Sequence, residues 1–323
     1  MNKQNNELFY QYFHDWFELF KKADIRPVTA QKYVAAEESI KELAPDLTLD
    51  QINRMQVQKL LVLYGKNHEL STAKGFFHLI KACLEDARYN HLIDDDPTYK
   101  LKPSSQKAHH STKVKYLERD QAEKLINTFK KSNSVASDMF DFDIRTGLRF
   151  AELLGLTRQD IDTVHKTITV NKSWQYKKGI KADFGETKNK ASHRTIVVDD
   201  QALSDITKYF DQCGDQEPIF VKAFSDERGF KPTKNQKYAG VYNSTLVNEL
   251  AKFCKESGVP RIGIHGLRHT HASFLFYADV SILSISKRLG HANTKTTEQV
   301  YLHLIKDKAA QDDQQTLEAL NAL

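Results

Sequence analysis

The densest group of chemically active side chains lies in the segment HGLRHTHAS, residues 265–273. If the segment is helical, His265, Arg268 and His269 share one face, because residues three and four apart are neighbours on a helix. The two histidines have the spacing of a metal pair, but no glutamate or cysteine in the motif supports them, and an arginine between them would repel a cation. A histidine beside an arginine is better suited to binding phosphate. We expect an anion site and no metal, with a charged surface patch as the simpler alternative.

A second candidate is Arg149 in TGLRFAELLGL. We expect the preceding helix to break at residues 146–147 and to restart at Leu148, which would place Arg149 just inside the new helix. An arginine in an amphipathic helix is most often exposed, but the surrounding leucines favour partial burial here. A buried guanidinium group needs an anion. Glu152, three residues on, can supply that anion.

Three further segments carry side chains that could react. Lys188 and Lys190 lie in the loop ETKNKASHRTI, where a lysine presented by a turn can act as a general acid, although a charged loop is usually only solvated. His291 follows Gly290 in KRLGHANTKTT, and a single loop histidine usually has no function. Tyr301 lies in TKTTEQVYLHLI, and nothing within that stretch decides whether its hydroxyl reacts or its ring packs.

The elements that must position these residues fall into two regions. Residues 7–100 have the periodicity of four helices, and Phe9, Phe13, Phe17 and Phe20 would form the apolar face of the first. Thr29 is the expected N-cap of the second helix. Four helices in about 100 residues predict a small bundle.

The remaining chain predicts a different architecture. Residues 103–114 are polar and basic without periodicity, which indicates a linker. Residues from 115 onward predict a short strand leading into a helix, then the broken helix around Arg149. The β-branched runs TITVNKSWQY and RTIVV predict a hairpin-like sheet with a long lysine-rich connection. After Ala202 the pattern is helical to the end of the chain. The fold class predicted is mainly α with a small β-sheet.

Composition sets broad limits on function. The chain has 323 residues and a net charge of +5, and the positive excess lies in its C-terminal two-thirds, which permits a polyanionic partner without requiring one. Three widely separated cysteines argue against a disulfide framework and fit a reducing cytoplasm. We see no signal peptide, and no apolar stretch reaches the length needed to span a membrane. We therefore expect a cytoplasmic protein with no membrane partner.

In chain order the candidate residues form a set that resembles the tyrosine recombinases, the phage-integrase family. TGLRFAELLGL resembles the first arginine box of that family. HGLRHTHAS, followed by LSISKRLGHANTKTTEQVYLHL, resembles the second box and the segment that leads to the nucleophile. TKNKASHRTIVV is similar to the hairpin of the catalytic lysine. The box sequences look closer to integrases of phages and conjugative transposons than to enzymes that resolve chromosome dimers.

The resemblance implies a role for each matching residue and requires no cofactor. Tyr301 would be the nucleophile, Lys188 the general acid and Lys190 the alternative for that role and otherwise a DNA contact. The scissile phosphate would be held by Arg149 and Arg268, with Glu152 in support, and the pocket would be completed by His265 and His291. At the start of the tyrosine helix, hydroxyl and backbone N–H groups could contact DNA phosphate or simply cap the helix, at Thr294, Lys295, Thr296 and Thr297.

The resemblance also implies an assembly. Residues 1–102 would be a helical core-DNA-binding domain, 103–114 a linker and 115–305 the catalytic domain, the two domains closing as a C-shaped clamp on double-stranded DNA. Residues 306–323 would form a tail helix that folds back on its own domain or docks on a neighbouring protomer. A homo-oligomer, a tetramer in the synaptic complex, is expected on DNA, with a possible accessory DNA-bending or directionality factor. Few residues precede the first helix, so the chain is either a two-domain recombinase or lacks its natural start.

The activity that the resemblance implies is site-specific recombination of a mobile element through a 3′-phosphotyrosine intermediate. A type IB topoisomerase would share this chemistry but would relax DNA as a monomer. A non-catalytic DNA-binding regulator would be expected to have lost part of the catalytic set, and the sequence retains it. A metal-dependent nuclease needs clustered acidic residues, and the sequence has none at suitable spacing.

Overall fold

The computed structural model describes residues 6–107, 114–177, 179–187, 189–234, 236–238, 240–295, 297–298 and 320–321. The chain divides into two compact units, residues 1–111 and residues 112–323. No helix within the described ranges is long and apolar enough to cross a membrane.

The first unit contains the four predicted helices, α1 (Phe9–Phe20), α2 (Pro27–Leu43), α3 (Arg54–Asn67) and α4 (Leu70–Tyr89). Phe20 was expected on the buried face of α1 but is 59% exposed, and Trp16 is buried in the core instead. The N-cap of α2 is Arg26 rather than Thr29. Proline at the first helical position explains this start, since its fixed φ suits the helix and its missing N–H group would have had no partner there.

Part of the predicted linker packs on the first unit. The Ser105 hydroxyl donates to the His68 carbonyl at 2.7 Å, and the Gln106 backbone N–H donates to the Gly65 carbonyl at 2.9 Å. A Cβ atom on Gly65 would lie 2.1 Å from the Ser104 carbonyl oxygen, so this position in α3 requires glycine. The segment that starts at residue 103 is therefore anchored on α3, whereas residues 108–113 lie outside the described part of the chain.

The second unit is mostly helical with two small sheets, which confirms the predicted fold class. Its helices are α5 (Arg119–Lys131), α6 (Val135–Thr146), α7 (Phe150–Leu154), α8 (Asp200–Thr207), α9 (Ile219–Arg228), α10 (Asn243–Glu256), α11 (Ile264–Tyr277) and α12 (Ile282–Leu289). Its strands are β1 (Ile161–Asp162), β2 (Thr167–Val170), β3 (Ser173–Trp174), β4 (Phe184–Gly185) and β5 (Arg194–Val197). The prediction of a short strand near residue 115 is wrong. Leu117 is instead a buried core residue whose backbone N–H donates to the Thr270 hydroxyl on α11 at 3.0 Å.

The sheets confirm the predicted hairpin and its long connection. Strands β1, β2 and β5 form one antiparallel sheet, and β3 and β4 form a second sheet within the connection between β2 and β5. The register pairs Ile168 with Ile196 and Val170 with Arg194. Residues two apart on a strand point to the same face, so Arg194 shares a face with the buried Ile196.

Helix α6 lies at the centre of the second unit. Ten of its twelve residues are buried, and it contacts α5, α8, α9, α10 and α11. A helix buried on all sides belongs in a core. The rigid packing of α6 fixes the position of the chain that follows it, which is the segment containing Arg149.

Candidate active site

Arg149 is placed by the sharp turn between α6 and α7. Gly147 ends α6 in the left-handed region at φ 64°, and a Cβ atom there would lie 2.4 Å from the His271 ring. The expectation that the helix restarts at Leu148 is wrong, because α7 begins at Phe150 and Arg149 is its N-cap. The Glu152 carboxylate accepts from the Arg149 backbone N–H at 3.0 Å, and this capping bond ends the turn.

Glu152 is the ionised centre of the site. It is 2% exposed, and its Oε1 accepts from the Arg149 guanidinium at 2.6 Å, which confirms the predicted pairing. Its Oε2 accepts from the Arg194 guanidinium at 2.9 Å. Burial alone would raise the pKa of Glu152, but Arg194 and Arg149 outweigh burial and hold that pKa below its ordinary value. A buried carboxylate that bonds two guanidinium groups fixes the position of both.

Arg268 reaches the same place from α11. The predicted helix over HGLRHTHAS is confirmed, and Arg268 is 2% exposed within it. Its guanidinium donates to the Gly147 carbonyl at 2.8 Å and to the Leu289 carbonyl at 2.6 Å. Burial, together with the nearby charge of Arg149, lowers the pKa of Arg268 to about 9. Arg268 therefore remains a cation at neutral pH.

The turn after α12 joins the two arginines. Gly290 ends α12 in the left-handed region at φ 67°. Arg149 donates to the Gly290 carbonyl at 2.7 Å, next to the Leu289 carbonyl that Arg268 binds. Two guanidinium groups that are 119 residues apart in sequence thus meet on consecutive carbonyl groups, immediately before His291.

His291 lies in this cationic environment as a neutral imidazole. Burial lowers its pKa to about 4, and the charges of Arg268 and Arg149, followed by His265 and His269, add to that effect. These side chains must be close to act on one another in this way. The His291 Nδ1 atom is 2.7 Å from the Thr297 hydroxyl, which orients the ring. The site therefore combines cationic guanidinium groups with a neutral imidazole.

Comparison with known proteins decides the family. Residues 115–308, more than half of the chain, match the Phage integrase family. The chain belongs to the phage integrase family. It is 28% identical over 204 residues to the ICEBs1 integrase of Bacillus subtilis (strain 168), a match that covers 61% of this chain and 52% of that relative. The chain spans about half the length of the curated integrases it matches.

Solved structures of integrases share the fold. The Tn1549 transposon integrase in complex with a circular intermediate DNA superimposes with a TM-score of 0.73 at 16% identity, over 90% of this chain and 94% of that chain. A lambda integrase tetramer bound to a Holliday junction gives a TM-score of 0.63 at 16% identity, over 91% of this chain and 80% of that chain.

Several candidate residues of this integrase-family chain lie outside the described residues, namely Lys188, Thr296 and Tyr301, as do the Lys190 side chain and, apart from 320–321, the tail from 306. Two residues that follow position 188, Asn189 and Ser192, reach the site. Ser192 accepts from the Arg149 guanidinium at 3.1 Å and donates to the Asn189 side chain at 2.8 Å. Ser192 and Asn189, at the end of the lysine-rich connection, are thus held beside Arg149.

The residues near His291 that were expected to contact DNA phosphate differ in their exposure to solvent. Lys295 is exposed and Thr294 is half-buried, and residues 294–295 and 297–298 are helical. Thr297 is fully buried, and its hydroxyl is occupied by His291. Phosphate contact by Thr294 and Lys295 stays a prediction, whereas the geometry of Thr297 favours a role in holding His291.

Sequence reasoning missed Arg194 and His271. Arg194 donates to Glu152 and also to the Arg288 and Ser192 carbonyl groups, so it ties β5 to α7 and α12. The sequence signal that could have identified Arg194 was a charged residue on the apolar face of a strand. His271 is buried, and its ring bonds the Ile144 carbonyl at 3.0 Å and the Arg288 side chain at 2.9 Å.

Burial and the charge of Arg288 lower the pKa of His271 to about 3, so it packs as a neutral structural residue. Within the described ranges, no three His, Cys, Asp or Glu side chains are grouped to hold a metal ion.

Proposed function

We propose that this chain is a site-specific DNA recombinase of a mobile element, which cleaves and rejoins DNA through a 3′-phosphotyrosine on Tyr301. The observation that carries the proposal is the meeting of Arg149 and Arg268 on the consecutive carbonyl groups of Gly290 and Leu289. Two positioned guanidinium groups beside a neutral histidine form a site for a phosphodiester in which negative charge develops.

Both arginines retain hydrogen-bonding capacity for a phosphate. A guanidinium group has five N–H donors. Arg149 donates three side-chain bonds and Arg268 donates two, so two donors of the first and three of the second have no acceptor among the residues described. Non-bridging phosphate oxygens would accept from these donors, and the bonds would strengthen as charge accumulates in the transition state.

Proton transfer would be divided between two groups. A phenol has a pKa near 10, so the Tyr301 hydroxyl needs a base to become a good nucleophile. His291 is a neutral imidazole at pH 7, and we assign it to accept that proton; because its pKa is low, the neighbouring arginines must also favour ionisation of the phenol. The 5′-oxygen leaves as a poor alkoxide unless it is protonated, and the Lys188 ammonium would supply that proton. The covalent bond to Tyr301 conserves the energy of the broken phosphodiester, so resealing to another 5′-hydroxyl needs neither a metal ion nor ATP.

The proposed partners are double-stranded DNA at core attachment sites and further copies of this chain. The lambda integrase structure is a tetramer on a Holliday junction, and we propose a tetramer for strand exchange here. The first unit would serve as the core-DNA-binding domain, and residues 306–323 would dock on a neighbouring protomer. The net charge of +5 suits a polyanionic partner, and binding should weaken steeply with salt. An accessory DNA-bending factor and a cytoplasmic location belong to the same proposal.

The test is recombination between two DNA fragments that carry the attachment sites, with purified protein in EDTA. We expect recombinant products, because no step of the proposed reaction uses a divalent metal. Relaxation of supercoiled DNA without any recombinant product would instead favour a type IB topoisomerase. Specific DNA binding without strand cleavage would favour a non-catalytic regulator.

A further inference from the structure

The carbonyl groups at the end of α12 are bonded in two different ways. A helix leaves its last carbonyl groups without partners inside the helix. The Ser286 and Lys287 carbonyl groups accept from backbone N–H groups of the turn that follows, in the manner of a left-handed glycine cap. The next three carbonyl groups, those of Arg288, Leu289 and Gly290, each accept from the guanidinium group of a different arginine. Cations are favoured at this negative end of a helix.

Arg194 of β5 is bonded differently from the two arginines assigned to the phosphate. Its side chain is 7% exposed, and each of its three guanidinium nitrogens donates within the protein. Nε donates to the Arg288 carbonyl at 2.5 Å, Nη1 to the Ser192 carbonyl at 2.9 Å and Nη2 to the Glu152 carboxylate at 2.9 Å. In the other two arginines, Nε has no acceptor among the described residues. This bonding leaves Arg194 to act on its neighbours rather than on the phosphate.

The bonds of Arg194 connect Arg149 with the end of α12. The Glu152 carboxylate bonds both guanidinium groups. Ser192 accepts from Arg194 through its carbonyl and from Arg149 through its hydroxyl, at 3.1 Å. The turn after α12 lies close against the same side chain, since a Cβ atom on Gly290 would be 2.9 Å from the Arg194 Nη1 atom. Arg194 therefore lies between the groups that hold Arg149 and the turn that leads to the histidine of the site.

We propose that Arg194 is a positioning residue, which fixes the end of α12 relative to Glu152. The two carbonyl groups on which Arg149 and Arg268 meet belong to that end, and His291 follows them. Loss of the Arg194 guanidinium would release the turn and remove one of the two cations that bond Glu152. The phosphate-binding groups would then be displaced from one another. This inference rests on the proposed recombinase function.

The test replaces Arg194 by lysine and measures covalent attachment to a nicked attachment-site duplex in a single turnover. Lysine keeps the positive charge beside Glu152, but one ammonium nitrogen cannot replace a planar group that reaches three acceptors. Arg194→Lys should slow attachment at least about tenfold, with the Kd for uncleaved duplex changed by less than about threefold, because the displaced groups act mainly in the transition state. Arg194→Gln, which also removes the charge, should lose at least as much.

Arg145 supplies a matched control for the same substitution. It is also a largely buried arginine of the second unit, at 20% exposed, and it bonds the Asp141 carboxylate at 3.1 Å and the Asp199 carboxylate at 2.7 Å. Neither carboxylate belongs to the site. At a temperature where every variant is folded, Arg145→Lys should attach to DNA within about twofold of the wild-type rate.

Double substitutions separate positioning from a general structural effect. Glu152→Gln removes the carboxylate charge that Arg194 bonds, so Arg194→Lys should cause at most about threefold further loss in that background. In the Arg145→Lys background, Arg194→Lys should keep its full loss of about tenfold, since those two arginines share no partner.

The outcomes distinguish the two proposals. Wild-type attachment with equally fast attachment by Arg194→Lys would overturn the positioning role and leave the recombinase proposal standing. Equal losses in Arg194→Lys and Arg145→Lys, or full additivity with Glu152→Gln, would also overturn it. A wild-type protein that forms no adduct would refute the recombinase proposal and, with it, this inference. Should Arg194→Lys fail to fold, Arg194→Gln, whose neutral amide still donates, is measured in its place with the same expected loss of rate.

Discussion

The two units of the chain bury different kinds of side chain. Among the described residues of the first unit, Thr98 is the one polar side chain in the interior, and the core is aromatic and aliphatic. Among the residues described in the second unit, seven aspartate, glutamate, arginine or histidine side chains are buried, namely Asp141, Asp143, Glu152, Asp160, Asp205, Arg268 and His271. The first interior is organised mainly by apolar packing. The second accepts part of the cost of buried charge where it holds Arg149 and Arg268.

The two tryptophans of the chain allow this contrast to be measured, because one lies in each unit. Trp16 packs in the first core, and its indole N–H donates to Asp86 at 2.5 Å. Trp174 is equally buried in the second core, but its indole N–H has no partner among the described residues. The Trp174→Phe protein keeps only Trp16, so its fluorescence reports unfolding of the first unit. The Trp16→Phe protein keeps only Trp174, so its fluorescence reports unfolding of the second unit.

The largest expected effect compares two ion pairs of the same length. The Arg149 Nη1 and Glu152 Oε1 atoms are 2.6 Å apart, and Glu152 is buried. The Lys22 Nζ and Glu18 Oε2 atoms are also 2.6 Å apart, but on the exposed surface of the first unit. Glu152→Gln should lower the free energy of unfolding of the second unit by about 3 kcal/mol, because it leaves two guanidinium groups without their anion. Glu18→Gln should change that of the first unit by less than about 1 kcal/mol.

Urea titrations read by the tryptophan of each unit check this prediction. The Glu152 variant should also slow covalent attachment to DNA, while the Glu18 variant should not. Equal changes in unfolding free energy for the two substitutions would remove the proposed distinction between the interiors.

An intermediate effect concerns pH. Burial raises the pKa of Asp205 to about 7, with Asp141 and Asp138 adding to the shift. The folded state then holds a proton that the unfolded state releases near pH 4, so this group makes the fold less stable as pH rises from about 4 to 7. Asp205→Asn cannot ionise. Its stabilising effect on the second unit should be about 2 kcal/mol larger at pH 8 than at pH 5.

Thermal or urea unfolding of the wild-type and Asp205→Asn proteins at the two pH values provides the measurement, read through Trp174. The first unit, read through Trp16, serves as the internal control and should show no difference between the variants. A gain that is equal at both pH values would mean that Asp205 does not titrate in this range.

The smallest single effect is expected at Gly75, one of two glycines inside helices of the first unit that can be compared. A Cβ atom on Gly75 of α4 would meet nothing within 4 Å, whereas one on Gly65 of α3 would meet the Ser104 carbonyl at 2.1 Å. Gly75→Ala should raise the free energy of unfolding by about 0.5–1 kcal/mol through helix propensity. Gly65→Ala should lower it by about 2 kcal/mol, because the anchored segment must shift. Urea unfolding followed by Trp16 fluorescence measures both changes. A lower free energy of unfolding in both variants would contradict the open surface at Gly75.

Local patterns predicted the parts of the molecule that depend on short-range physics. The helix over HGLRHTHAS, the four helices of the first unit and the pairing of Arg149 with Glu152 follow from spacing that is visible in the sequence. Contacts across the chain were not predictable in this way. In the sequence Arg194 resembles any strand residue, and only the fold places it opposite Val170 and against Glu152 of α7.

Two predictions from local patterns were wrong, for different reasons. Phe20 continues the apolar spacing of α1, but the core ends one turn earlier and Trp16 occupies the buried position. Arg149 has helical neighbours, but its backbone N–H is capped by Glu152 and stays outside the helix. For Phe20 the extent of the core outweighed the local periodicity, and for Arg149 a local capping bond from a residue three positions on set the start of the helix.

The central claim is that the arginine pair in the second unit serves the Tyr301 hydroxyl. Incubating the protein with a nicked attachment-site duplex in EDTA tests this most directly, with the denatured protein–DNA adduct as the readout. Tyr277→Phe changes a 53% exposed tyrosine of α11 and is the matched control. We expect an adduct with the wild-type and Tyr277→Phe proteins and none with Tyr301→Phe. An adduct that survives Tyr301→Phe, or one that forms only when a divalent metal is added, would contradict the account.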